Sequence, residues 1–103
     1  MIFELDGVGF KFGLYASAIT EKEAGVSIGK VIEGIGRGEI LPILHYFYGG
    51  AVAYNEAKGK GKVSISEVSD QIEKIGLDKS LEILTQSLQM PKNSEAPRET
   101  GPN

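Results

Sequence analysis

"ILPILHYFYGGAVAY", Ile40 to Tyr54, is the stretch on which the fold turns. It is uncharged apart from His45, and its apolar residues fall at helical rather than alternating spacing. Ile40, Leu44, Phe47, Ala51 and Tyr54 make one stripe. Leu41, Tyr48 and Val52 make the next, and Ile43 and Tyr46 point elsewhere again. An ordinary surface helix shows a single apolar stripe. This one therefore reads as the central helix of a small domain, from about Glu39 to Ala57, with Pro42 tolerated in its first turn. Coverage by neighbours is expected for most of the run, with some aromatic area left at the surface, where large apolar patches mark partner sites. The candidate partner-contacting residues are Tyr46, Phe47, Tyr48 and Tyr54. The competing reading wraps all four into the core.

Towards the N-terminus the chain breaks repeatedly at glycine. "LYASAITEKEAG" puts Leu14, Tyr15, Ala18 and Ile19 on one helical side and Glu21, Lys22 and Glu23 towards solvent, with Gly25 as the stop. Ser27 is placed to cap a second helix whose stripe is Ile28, Val31, Ile32 and Ile35. Gly34, Gly36 and Gly38 then interrupt it.

The first dozen residues, "MIFELDGVGFKF", hold Asp6-Gly7 between two β-prone runs, the signal for a hairpin with a two-residue turn. In that register Leu5 faces Val8, Phe3 faces Phe10 and Met1 faces Phe12, all on one greasy side. Ile2, Glu4, Gly9 and Lys11 make the wet side, with Glu4 and Lys11 diagonal neighbours. A lone hairpin is marginal in water, so its greasy side is expected to lie on helices or on another chain.

Beyond the central helix, "KGKGK" (Lys58 to Lys62) is a loop by composition. Ser64 and Glu67 make a capping box for a helix with Ile65, Val68, Ile72 and Ile75 on one side. Gly76 ends it, and Asp78 is expected to cap a last helix carrying Leu81, Leu84 and Leu88. Residues 91–103 hold three of the four prolines and no apolar residue but Ala96, the composition of a disordered tail. The expected fold class is α+β, mainly α. It is a single domain over residues 1–90, with a hairpin at 1–12 and helices at about 14–24, 27–35, 39–57, 65–75 and 78–89.

Composition narrows the function. The chain has 103 residues, 24% of them charged, with a net charge of −3 and no cysteine. Thiol chemistry and disulfides are excluded, and a general affinity for nucleic-acid phosphates, which needs clustered cations, is not expected. The opening "MIFELDG" carries an acid at Glu4 and lacks a basic, apolar run, so no secretory leader is expected. Ile40 to Asn55 falls short of the ~18 apolar residues of a membrane span, so a soluble intracellular protein is expected.

Catalytic patterns fail in turn. His45 is the single histidine and shares the least apolar side of its helix with Pro42, Gly49 and Glu56. Without a cysteine or second histidine it reads as a half-exposed helix residue rather than a general base or metal ligand. "GKGKGKVS" departs from a phosphate loop, because Glu56 stands where a glycine is needed and Val63 follows Lys62. No catalytic residue, metal or cofactor is expected. A non-enzymatic interaction module remains, and the hairpin edge leaves self-association open to it.

The order of these pieces resembles the tail assembly chaperones of long-tailed bacteriophages and related gene-transfer particles. The matching features are "FELDGVGFKFGLYA", "TEKEAGVSIGKVIEGI", "GEILPILHYFYGGA", the capped "SISEVSDQIEKIG" and "LEILTQSL", covering roughly Phe3 to Leu88. Glu21, Gly25 and Ser27 stand in the family's E-x-x-x-G-x-S positions, and Gly36, Leu41 and Leu44 in its following helix pattern. "HYFY" is more aromatic than the family pattern, and "KGKGK" is a local elaboration. The resemblance implies a non-enzymatic protein of the bacterial host cytoplasm. Its partners would be the hydrophobic tape-measure protein, which it keeps soluble, and tail-tube subunits, whose polymerisation it assists. Some members also have a longer, frameshifted product, whose extension would join after Pro91. Two rival readings are a structural connector of a phage particle that self-assembles through the hairpin edge, and a small ligand-binding or regulatory domain built around His45.

Overall fold

The computed structural model describes residues 1–5 and 8–95. Strands β1 (Ile2–Leu5) and β2 (Val8–Lys11) pair antiparallel, with Phe3 opposite Phe10 and Leu5 opposite Val8. Met1 extends the ladder: its amino group donates to the Phe12 carbonyl at 2.9 Å and its carbonyl accepts from the Phe12 amide at 2.8 Å. The register is the expected one; the Asp6-Gly7 turn lies outside the described residues.

Among the described residues five helices follow: α1 (Leu14–Ala24), α2 (Ile28–Gly36), α3 (Ile40–Ala57), α4 (Ile65–Ile75) and α5 (Leu77–Glu95). Local chemistry sets most of the boundaries. Gly25 closes α1 in a left-handed conformation (φ 74°) that few other residues adopt without strain. The Ser27 hydroxyl accepts from the Lys30 amide at the start of α2. Ser64 and Glu67 form the reciprocal capping box of α4, at 2.7 and 3.1 Å.

The last helix departs from expectation at both ends. It begins at Leu77, where the Gly76 carbonyl accepts from the Ser80 amide and hydroxyl. Asp78 therefore lies in the first turn, where its charge favours the helix dipole, and is not the cap. The helix also runs through Pro91 to Glu95, into the segment expected to be disordered. Pro91 has no amide hydrogen for the Ser87 carbonyl, one lost bond in a helix already anchored by buried Leu84. The rest of the expected tail, 96–103, lies outside the described residues.

Helix α3 is the hub on which β2, α1, α2 and α4 pack. Its Phe47 meets Phe10 edge-on at 4.9 Å, and Tyr46 stacks on Phe12 at 5.0 Å. With Val31, Ile43, Val68, Ile83 and Leu84 these rings form one core. Burying each such side chain contributes roughly 1.5–3 kcal/mol, and each well-placed ring pair about 0.5–1.5 kcal/mol more.

The other side of α3 is packed as well, with His45 half-buried as expected. Pro42, His45 and Gly49, read as its least apolar side, are where α1 and α2 sit. A Cβ on Gly49 would collide with Thr20 Oγ1 and stand 2.5 Å from the Ala16 carbonyl, so the two helices touch backbone to backbone. The Thr20 hydroxyl donates to the Ala16 carbonyl at 2.8 Å, and its oxygen lies 3.4 Å from the His45 carbonyl oxygen. Buried residues of α1 are accordingly Ala16 and Thr20, not the expected stripe, and Leu14 stands 90% exposed.

The hairpin's wet side is also partly covered. Tyr54 lies over Gly9, where any Cβ would collide with its ring, and its hydroxyl donates to the Glu4 carboxylate. Glu4 is thus engaged by a tyrosine rather than by Lys11.

Candidate partner-binding surface

Seating α1 by its small residues turns its larger ones outward. Leu14 and Ser17 form one wall of an open groove of about 570 Å³; Ile28 and Ile32 of α2, Met1 of the hairpin and Leu88 of α5 complete it. Much of this apolar surface faces water, since Met1 and Ile32 are exposed and Ile28 and Leu88 half-buried. Such a concentration in a domain of this size makes the groove a candidate contact surface.

The floor is different. Phe12, Tyr46 and Ser87 lie beneath, all nearly buried. The Ser87 hydroxyl donates to the Leu84 carbonyl at 2.9 Å, so the Tyr46 hydroxyl is the donor in its 3.3 Å bond to Ser87. Burial pushes the Tyr46 phenol above its ordinary pKa. It stays neutral and paired at ordinary pH, a structural polar pair rather than a proton donor for chemistry.

The four aromatics expected to contact a partner therefore divide. Phe47 is 0% exposed, at the centre of the core beside Phe10 and Phe12, and touches nothing outside the domain. Tyr54 is committed to Gly9 and Glu4. Tyr46 supplies only the groove's floor. Tyr48, half-buried, lines a separate cleft beside the Lys60–Val63 loop. What buries the rings is the hairpin, whose phenylalanines need an aromatic surface of matching size.

Sequence reasoning assigned Leu14 to a buried stripe and so missed the groove. The signal that points to it is Gly49 facing the Ala16–Thr20 spacing, which marks where two helices approach closely. His45 is half-buried and lines a small cleft with Val26 and Leu41. A second apolar area lies at the start of α3, where Ile40 and Leu41 are 62% and 58% exposed.

Among the described residues no three metal-ligating side chains cluster, and no helix is long and apolar enough to cross a membrane. The chain matches no protein-family profile, no characterised protein and no solved structure.

Proposed function

We propose that this chain is a non-catalytic assembly chaperone of the phage-tail type. In the cytoplasm of a bacterial host it holds an apolar helical segment of a tape-measure protein in the groove beside Leu14, and assists polymerisation of tail-tube subunits around that client. The carrying observation is the exposed apolar wall formed by Leu14 and Ile32 over an aromatic floor. An amphipathic helix places anchors at every third or fourth residue, a pattern suited to a groove between helices. The chain's own residues 96–103 offer only Ala96 as an apolar side chain and are poor occupants.

The test is co-expression with a tape-measure protein that is insoluble alone. The wild-type chain keeps it soluble and co-purifies with it, while Leu14→Asp/Ile32→Asp folds normally and does neither. Equal rescue by the variant overturns the reading.

A structural connector is the second reading, favoured by one feature. Ile2 stands opposite Lys11 in a position that, by the alternation of an antiparallel ladder, turns its amide to the outer edge of β1. That edge is open to strand addition. Ile2→Pro removes the outward donor at little internal cost. If the chain self-assembles this way, light scattering shows oligomers in the wild type and monomers in that variant.

A further inference from the structure

We propose that the loop after α3 is a docking site for a short acidic peptide carrying one apolar anchor, distinct from the client groove. Lys58, Lys60 and Lys62 fall within five residues of a chain whose net charge is −3. Among the described residues the ion pairs are Arg37–Glu39 and Lys79–Glu82, so none of these three cations pairs with a described carboxylate. The loop is held in place. The Lys58, Gly59 and Lys60 amides donate back to Tyr54, Glu56 and Asn55, and the Asn55 side-chain amide donates to the Gly61 carbonyl at 3.0 Å.

Aromatic support adds to this. The Lys58 and Lys60 ammonium groups stand 5.7 and 5.3 Å from the centroid of Tyr54, within the range of a cation–π contact. Both charges are thereby gathered at one place.

Beside the loop lies a cleft of about 370 Å³ whose apolar surface comes from Tyr48, Val52 and Val63, with Lys60 and Lys62 on its rim. Glu56 is the acid that lines it, and both its oxygens already accept from the Tyr15 hydroxyl, at 2.8 and 3.0 Å. Stabilisation of α3 by its own dipole accounts for Lys58 at the C-cap. It does not account for Lys62, because that effect fades within the last turn. Charge complementarity thus selects an anionic partner, and the apolar cleft selects a peptide over a polyphosphate backbone, which offers no aliphatic anchor. The cleft shares no lining residue with the Leu14 groove.

The test uses the full chain and a fluorescein-labelled peptide of alternating Asp and Glu with one central leucine, followed by anisotropy. Saturable binding is expected, weakening as NaCl rises from about 50 to about 300 mM. Lys58→Gln/Lys60→Gln/Lys62→Gln is expected to weaken it at least tenfold (roughly three exposed charge pairs) while keeping the folded circular-dichroism spectrum. Leu14→Asp leaves it intact, so loss of the client groove and loss of this site are told apart. Equal affinity in the triple variant overturns the site. So does equal binding of the peptide with leucine replaced by aspartate, or displacement of the peptide by single-stranded RNA at low concentration.

Discussion

The Glu21 carboxylate on α1 accepts the amide of Ile28, first residue of α2, at 2.7 Å. With the left-handed Gly25 and the Ser27 cap it builds the corner between the two helices, satisfying amides that a helix start leaves without partners. The same corner orients Ile28 and Ile32 towards the groove. Glu21→Ala is expected to cost about 0.5–1 kcal/mol in urea unfolding. Glu23→Ala, an exposed acid on the same helix, should stay within about 0.5 kcal/mol of wild type.

One substitution at two glycines should act with opposite sign. Gly49→Ala drives a methyl group into Thr20 and the Ala16 backbone and is expected to destabilise by roughly 1–3 kcal/mol or more. Gly36→Ala, in helical backbone with nothing within 4 Å, should stabilise by up to about 1 kcal/mol. Thermal melts of the two variants decide it, and a neutral or stabilising Gly49→Ala would show that α1 and α3 are not in backbone contact.

The hairpin register predicts unequal damage at neighbouring positions. Phe10, 0% exposed against Phe47, does not tolerate a carboxylate, so Phe10→Asp should unfold the domain, a loss of about 4 kcal/mol or more. Lys11 points to water, and Lys11→Asp should change stability by less than about 0.5 kcal/mol. Circular dichroism separates the two.

Alkaline pH should loosen the fold through its tyrosines. Tyr54 is shifted up mainly by its bond to Glu4, Tyr15 by its bond to Glu56, and Tyr46 by burial, all from an ordinary value of 10.0. The folded state prefers the neutral phenol. This contribution is therefore complete below pH 10 and is lost as pH rises through the higher folded values. Melting temperatures between about pH 8 and 11.5 should fall in the upper part of that range, less steeply in Tyr46→Phe. An identical slope in that variant would remove Tyr46 from the account.

What could be read from the sequence was local. The β1–β2 register follows from a period of two over four residues a side, and the caps at Ser27 and Ser64 and the stop at Gly25 are each complete within a few residues. The end of α5 escaped the same logic. Pro91 is a local stop signal, yet the helix runs past it to Glu95.

Sequence by itself determined an N-terminal hairpin, five helical segments and a central apolar helix, because turn, cap and periodicity signals are written over short spans. Only the tertiary structure decided which sides of those helices are inside. Contacts through Gly49, Ala16 and Thr20 carry no apolar stripe, so backbone proximity chose the face of α1 and left Leu14 in water. The phenylalanines of the hairpin, distant in sequence, claimed Tyr46 and Phe47 for the core. A stripe records that a face is apolar; whether it is buried depends on what the rest of the chain brings to it.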